Sequence, residues 1–322
     1  MKQLMLGNEA VARGLYEAGC SFVSSYPGTP STEITEAIAR YPEVYAEWAP
    51  NEKCALEVAI GAAYTGARAL ATMKHVGLNV AADPFFTIAY SGTPGGLVVI
   101  SADDPGMASS QNEQDNRRYA IAAGVPMFEP SDSQECYDFM REAFLLADKF
   151  RSPVLFRMTT RVCHSQCLME RRFADNPDAA KATTFTRDPK SNVMVPAFAK
   201  LAHRRLRADL HAMAEINEKS SYHHTVLKST DLGIITSGIS YQHVLDAVPE
   251  ASVLKLGMTY PLPMETIQDF AGKVKRCLIV EEGDSVLFEQ IMAAGIAVEN
   301  KLEAFRFGEL NVSRVRKLVN RD

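Results

Sequence analysis

The chain has 322 residues, 47% hydrophobic and 23% charged, with a formal net charge of −5. At roughly 100–200 residues per domain it holds about two domains with sizeable cores. The acidic balance excludes a nucleic-acid or anionic-membrane footprint, and no apolar run approaches the roughly 18–20 residues of a membrane helix.

Polar residues arrive too early, at Gln3, Asn8 and Glu9, for a signal peptide, so a cytoplasmic location is expected. The six cysteines are scattered except for Cys163-His164-Ser165-Gln166-Cys167, which suits a reducing compartment. That pair lacks a second pair to complete a zinc site, so no metal is expected there.

In chain order, Ala10–Ala18 reads as an amphipathic helix, followed by the short apolar run Cys20–Ser25. That run breaks into Tyr26-Pro27-Gly28-Thr29-Pro30-Ser31-Thr32, a proline-fixed turn whose hydroxyls can cap a helix over Glu33–Arg40. Strand, rigid turn and helix start together present backbone N–H groups to a ligand, although a purely structural turn has the same sequence.

Glu47-Trp48-Ala49-Pro50-Asn51-Glu52 leads into a helix rich in small residues, Ala and Gly above all, through Ala67. Small residues let another backbone approach closely. Glu52 in its first turn is either a complement to the helix dipole or an acid for a cofactor ring nitrogen.

Arg68–Met73 is the next strand, ending in Lys74-His75-Val76-Gly77-Leu78-Asn79. Val80–Tyr90 is helical, with Asp83-Pro84 as a kink or restart. Leu97–Ser101 reads as a strand buried on both faces, followed by the long polar loop 103–117. Ser131 and Gln134 stand at capping-box spacing before a helix reaching Phe150, between strands at Pro126–Glu129 and Pro153–Arg157.

Periodicity weakens over 168–228, where Lys200–Arg207 is a solvated basic helix and His223-His224 are surface residues. A second α/β unit follows, with strands at Leu232–Ser237, Val253–Leu256 and Arg276–Val280. It has helices at Met264–Ala271 and up to Ala294, and a last short strand at Glu303–Phe307.

The fold class is therefore α/β with a parallel, helix-covered sheet. Loops 26–33, 74–79 and 103–117 all leave strand carboxyl ends, where such sheets bind ligands. A phosphate loop, a dinucleotide fingerprint, a nucleophile elbow and a four-cysteine iron–sulfur run are all missing.

Several blocks carry a resemblance: Tyr26-Pro27-Gly28-Thr29-Pro30-Ser31, Asn51-Glu52-Lys53, Met73–Pro84 and Asp103–Met107 with Ser109–Arg117. With Thr159–His164 and Leu256–Pro263 they closely resemble the alpha subunit of the indolepyruvate ferredoxin oxidoreductase family, over nearly the whole chain. The match is weakest at about 168–228.

The resemblance implies a thiamine diphosphate enzyme that oxidatively decarboxylates arylpyruvates to aryl-acetyl-CoA and passes electrons through iron–sulfur clusters to ferredoxin. It implies a pyrimidine-binding domain (1–167), a linker with a helix (168–228) and a transketolase C-terminal-like domain (229–322). The family's Gly-Asp-Gly signature for magnesium diphosphate is absent, since Gly283-Asp284-Ser285 lacks the second glycine. Magnesium and the iron–sulfur clusters are expected in domains this chain lacks, with CoA as co-substrate of the whole enzyme. The chain is expected to be a fragment or split subunit, inactive alone, with a beta subunit, the missing domains and ferredoxin as partners in a homo- or hetero-oligomer.

By position, Glu52 matches the glutamate that hydrogen-bonds the pyrimidine N1′, with Pro27, Gly28 and Thr29 also at the cofactor. Thr29 is implied to meet the substrate carboxylate and reacting carbon, and Lys74, His75 and Asn79 to line the 2-oxoacid pocket from the strand end. Where pyruvate-specific relatives place an arginine, this sequence has Asp103-Asp104-Pro105, leaving Lys74 or Arg117 as the carboxylate's partner. Two other readings are a non-catalytic ligand- or partner-binding protein on the same scaffold and a different 2-oxoacid specificity.

Overall fold

The computed structural model describes residues 2–173 and 184–321. Its first part alternates strand and helix: β1 (Lys2–Leu6), α1 (Gly7–Glu17), β2 (Cys20–Ser25), α2 (Thr32–Ile38), β3 (Tyr45–Trp48), α3 (Glu52–Tyr64) and β4 (Arg68–Lys74). Next come α4 (His75–Val80), α5 (Ala82–Ser91), β5 (Leu97–Asp103), α6 (Arg117–Ala123) and β6 (Met127–Phe128). This part closes with α7 (Ser133–Phe150), β7 (Val154–Thr159), α8 (Thr160–His164) and β8 (Gln166–Glu170).

The second described stretch holds α9 (Pro189–Asn192), α10 (Pro196–Glu218), β9 (His224–Val226), β10 (Leu232–Ser237), α11 (Ser240–Ala247) and β11 (Ser252–Leu256). It continues with β12 (Met258–Tyr260), α12 (Met264–Ala271), β13 (Arg276–Val280), α13 (Val286–Ala293) and α14 (Val312–Asn320).

The main sheet runs β12-β6-β7-β5-β4-β2-β3, and every pairing in it is parallel except β12 on β6. All seven residues of β5 are buried, because helices cover a parallel sheet on both faces. A smaller sheet, β13-β10-β11-β9, forms the second unit, with β9 antiparallel at its edge. β1 and β8 pair antiparallel, setting Met5 opposite Cys167.

The first core extends beyond the first sheet's own helices. Leu206, Leu210 and Met213 of α10 belong to it, as do Ile239 and Met258 from the second unit. Asn217, fully buried, donates from Nδ2 to the carbonyls of Met258 and Pro261. The stretch expected as a linker thus packs into the core, although residues 174–183 lie outside the described ones. The solvated face of its helix is as expected, with Lys200, Arg204, Arg205 and Arg207 exposed. His224 is exposed, whereas His223 is half-buried with Nε2 2.9 Å from Asn217 O.

Other local expectations shift. His75 and Asn79 lie on helix α4, and only Lys74 is at the strand end. Asp132, not Ser131, caps α7: its carboxylate accepts from Glu135 N at 2.9 Å, and Glu135 reaches back to Ser131 N at 2.8 Å. The cap is one residue later because an extended aspartate presents its acceptor to the open turn. Glu303–Phe305 is a 3-10 turn rather than a strand, since Phe305 alone among these residues is buried and no alternating face exists. The strands β1, β3, β8, β9 and β12 and the helices α6, α8, α9 and α14 stand where the sequence pattern announces no element.

Candidate functional site

The strand order places a reversal at β2. From β2 the chain steps outward to β3, crosses back through α3 to β4, and continues to β5. Crevices outside the carboxyl ends of strands flanking such a reversal are the ligand sites of open α/β sheets. Register aligns that edge, with Ser25 beside Thr72, Lys74 beside Ala102 and Asp103 beside Thr159.

One wall is the turn 26–31. Gly28 N donates to Thr32 Oγ1 at 2.9 Å, and Ser31 donates to Gly28 O from both N and Oγ at 2.9 Å. Asn8, buried on α1, donates to Pro30 O at 2.8 Å and fixes the turn from behind. Pro27 and Thr29 are left exposed at the rim, with Gly28 half-buried between them. Gly28 faces the stem of Lys74, whose Cδ would be 3.4 Å from a Cβ at residue 28. The turn after β2 and the end of β4 therefore meet across the reversal.

The second wall is the start of α3. Asn51 has extended backbone and caps the helix, accepting from Cys54 N at 2.9 Å. Glu52 follows in the first turn, half-buried, and leans over α4. A Cβ at Gly77 would come within 2.6 Å of its Cγ and 2.7 Å of its Oε1. Among the described residues its carboxylate makes no hydrogen bond or ion pair, so its acceptor capacity is unspent. The α3 face below it (Ala55, Leu56, Ala59, Ala63) is buried, while Glu57, Val58 and Gly61 on the other side are exposed. A Cβ at Gly61 would meet nothing within 4 Å.

The third wall is loop 104–116. Lys74 Nζ donates to Ser109 O at 2.8 Å, and His75 Nε2 is 2.9 Å from Asn112 O. Asn79, one turn further along α4, is exposed and accepts from the Tyr119 hydroxyl at 2.9 Å.

The acidic turn after β5 is internally committed. Asp103 accepts from Ser101 Oγ at 2.8 Å, Asn116 N at 3.2 Å and Arg157 Nε at 2.7 Å. Asp104 accepts from Ser110 Oγ at 2.6 Å, Ser109 N at 2.8 Å and Thr160 Oγ1 at 3.1 Å. Burial opposes the Asp104 charge, but these donors outweigh it and hold the carboxyl below its ordinary range. Both acids serve the loop rather than a ligand.

Arg117 does not reach the crevice. It is 1% exposed, with Nε 2.8 Å from Asp115, Nη1 2.5 Å from Glu281, and Nη2 bonded to the carbonyls of Glu282 and Asp284. Burial opposes the Asp115 charge too, but Arg117 and Arg157 hold that carboxyl well below its ordinary range. The guanidinium locks the second unit to the first, because a buried arginine needs every donor matched. Beside it a cavity of about 450 Å³ opens between loop 103–117 and residues 283–307, lined by Gln114, Arg306 and Phe307 among others. Neither Thr29, Glu52 nor Lys74 borders that cavity.

Cys163 is buried on α8 and Cys167 lies on β8. Burial pushes the Cys163 thiol well above its ordinary value.

The structure thus brings Pro27, Gly28, Thr29, Glu52 and Lys74 to one crevice, whereas His75, expected to line the pocket, is buried with its ring turned to Asn112 O. Asn79 stands at its outer end and Arg117 lies behind it. Two contributors escaped the sequence reading. Gly77 makes room for Glu52, and read as part of loop 74–79 it gave no sign of that role. Asn116, fully buried, donates to both His75 O at 3.0 Å and Ser101 Oγ at 2.7 Å. Nothing in its polar neighbourhood distinguished it.

The largely parallel sheet with its crevice at the strand carboxyl ends, followed by the smaller mixed sheet, has the architecture of a thiamine-type pyrimidine-binding domain joined to a transketolase C-terminal-like unit. Residues 13–214 match the family described as pyruvate flavodoxin/ferredoxin oxidoreductase, thiamine diphosphate-binding, and the chain belongs to that family.

It is 43% identical to the indolepyruvate oxidoreductase subunit IorA of Methanothermobacter marburgensis, over 95% of this chain and 50% of that protein. It is 39% identical to the same subunit of Archaeoglobus fulgidus, over 98% of this chain and 52% of that one. The chain therefore spans about half the length of these relatives. Among solved structures, the 2-oxoglutarate:ferredoxin oxidoreductase of Magnetococcus marinus superposes with a TM-score of 0.78, at 18% identity over 99% of this chain and 65% of that one. A split-gene transketolase superposes at 0.60, with 15% identity over 98% and 97% of the two chains. No helix among the described residues is long and apolar enough to cross a membrane.

Proposed function

We propose that this chain is the pyrimidine-binding portion of a thiamine diphosphate-dependent oxidoreductase that oxidatively decarboxylates arylpyruvates, indolepyruvate among them, with ferredoxin as electron acceptor. The observation that carries this reading is the Glu52 carboxylate, unengaged at a sheet crevice in space that Gly77 leaves open. A ring nitrogen needs a carboxyl with free capacity, and a helix-dipole complement alone would not require a glycine cut out beneath it.

Bound thiamine diphosphate supplies the carbanion stabilisation that 2-oxoacid decarboxylation demands. Glu52 would hold the pyrimidine ring nitrogen, with Pro27, Gly28 and Thr29 walling the ring. Thr29, exposed at the rim, would offer its hydroxyl to the substrate. Lys74 is the cation for the substrate carboxylate: it has no acidic partner among the described residues, and its one hydrogen bond runs to a neutral carbonyl. Asn79 would border the outer end of the same pocket.

The diphosphate with its magnesium, and the iron–sulfur clusters, belong in this reading to further domains and a beta subunit, with CoA accepting the acyl group. The exposed face of α3 carrying Glu57, Val58 and Gly61 is the seam on which the diphosphate-binding domain docks. The assembly is a cytoplasmic homo- or hetero-oligomer, and this chain alone has no activity.

The test is reconstitution with the diphosphate-binding domain and beta subunit, followed by a viologen-dye assay of indolepyruvate against pyruvate. Indolepyruvate turnover that Glu52→Gln abolishes is the expected result. Full activity in Glu52→Gln removes Glu52 from the reaction, and turnover by this chain alone refutes the division of labour.

A further inference from the structure

Neighbouring side chains at the end of β4 pin loop 104–116 to the crevice. Lys74 Nζ holds the Ser109 carbonyl, and His75 Nε2 is 2.9 Å from the Asn112 carbonyl. A carbonyl can only accept, so Nε2 carries the ring proton and Nδ1 is bare. Nδ1 is buried without a donor, and the whole residue is 0% exposed. His75 therefore cannot touch a substrate in the crevice. Its ring has one polar bond, and that bond is to the loop.

The backbone of the same residue is gripped from the other side. Asn116 donates to His75 O at 3.0 Å and to Ser101 Oγ at 2.7 Å. Asp104 meanwhile accepts from Ser109 N at 2.8 Å and from Ser110 Oγ at 2.6 Å, the two residues flanking the Ser109 carbonyl bond. The loop segment thus has one anchor at Asp104 and another at His75, and Lys74 meets it beside the first.

We propose that His75 is a positioning residue, holding the Asn112 carbonyl so that the Ser109 carbonyl stands over Lys74 and keeps that ammonium placed for a ligand carboxylate. The last step rests on the reading of Lys74 as the carboxylate-binding cation. A lysine stem is flexible, and here its carbons lie along Gly28 while its head is held by Ser109 O. A neutral carbonyl is a partner that a carboxylate displaces readily, because the carboxylate adds a full opposite charge to the attraction the ammonium feels. An acid in its place would compete on equal terms.

The test uses the full 322-residue chain and the variants His75→Gln and His75→Asn. Glutamine places an amide N–H close to where Nε2 stands, whereas asparagine stops short of Asn112. Two readouts follow the loop: hydrogen exchange of the Ser109 amide, and acylation of Lys74 by an amine-reactive ester, mapped by mass spectrometry. His75→Asn is expected to speed both about tenfold. His75→Gln should stay within about twofold of wild type. Buried β5 amides should be unchanged in both variants, and nitrogen-15 spectra of wild type should show the Nε2–H tautomer.

The proposal is overturned if His75→Gln behaves as His75→Asn, if His75→Asn behaves as wild type, or if the Nδ1–H tautomer is found. Loss of β5 protection in His75→Gln also overturns it, since that variant keeps the donor. Phenylpyruvate added to wild type should slow Lys74 acylation. If it does not while the variant pattern holds, the carboxylate role of Lys74 falls and the positioning of the loop stands.

Discussion

Gly77 leaves open the space that Glu52 fills: a Cβ on residue 77 would stand 2.6 Å from the Glu52 Cγ and 2.7 Å from its Oε1. Gly77 is buried inside α4, where alanine would otherwise favour the helix by about 1 kcal/mol. The glycine is kept against local propensity because the neighbouring helix needs its room.

Gly77→Ala should therefore act on the placement of Glu52 more than on the helix. The added methyl meets only the outer atoms of a half-buried side chain, which can turn away, so urea unfolding should show a change of no more than about 1 kcal/mol. In the reconstituted enzyme, activity should fall further than stability, because Glu52 must swing away. A more stable and fully active Gly77→Ala would show that Glu52 does not need its present placement.

Glu52→Gln keeps the shape of the side chain and removes its acid. Turnover in the reconstituted enzyme should drop at least about 100-fold, in line with the loss of a positioned proton-transfer group. Circular dichroism and the urea midpoint should be unchanged, since the carboxylate makes no hydrogen bond among the described residues.

Lys74→Met retains the stem along Gly28 and deletes the charge. The expected pattern is a KM for arylpyruvate raised about tenfold or more with a smaller change in kcat, the signature of lost ground-state binding. An unchanged KM would send the search for the carboxylate's partner elsewhere.

Arg117→Met should act on stability and on how the second unit seats. It leaves Asp115 and Glu281 buried without their shared cation, for which the cost is about 3–5 kcal/mol. Hydrogen exchange should report it at Asp284 N, which donates to Asp115 at 3.1 Å. Protection retained at that amide would show that Arg117 is not the lock.

Glu282 gives a pH signature. It is 6% exposed, and burial pushes its carboxyl up from 4.5 to about 7, against the hydrogen bond from Leu310 N and the charges of Arg157 and Lys301. Between those values the folded chain binds the proton more tightly than the unfolded chain does. Stability therefore falls as pH rises from about 4.5 through 7. Glu282→Gln keeps an oxygen for Leu310 N and removes the titration, so its unfolding midpoint should decline less than that of wild type across this range. Parallel curves would place the pH dependence on other groups.

Much of the fold was legible because parallel strands and their loops leave strong local marks. The proline-fixed turn at 26–31, the apolar run of β5 and the Ala-rich helix behind Glu52 were each apparent as sequence. Their convergence on one crevice followed from βαβ chain logic alone. Roles decided by long-range partners were not legible. Arg117 and His75 were both assigned to the pocket by type and neighbourhood. Arg117 is instead matched to Glu281, 164 positions away, and His75 is turned inward to Asn112. Asp103 and Asp104 likewise find their partners only in the fold, Arg157 for the first and Ser110 and Thr160 for the second. Only the fold brings such partners together.

The strand β12 has a consequence for how this protein can be taken apart. Met258–Tyr260 leaves the second unit's sheet and closes the open side of β6 in the first, while the Asn217 amide ties down the carbonyls on either side of it. The two units are stitched rather than strung. Excision at the apparent seam near residue 229 would strip β6 of its neighbour and leave two residues of sheet edge bare, a template for self-association. Exchange of the second unit between related proteins would likewise need residues 258–260 to travel with the first.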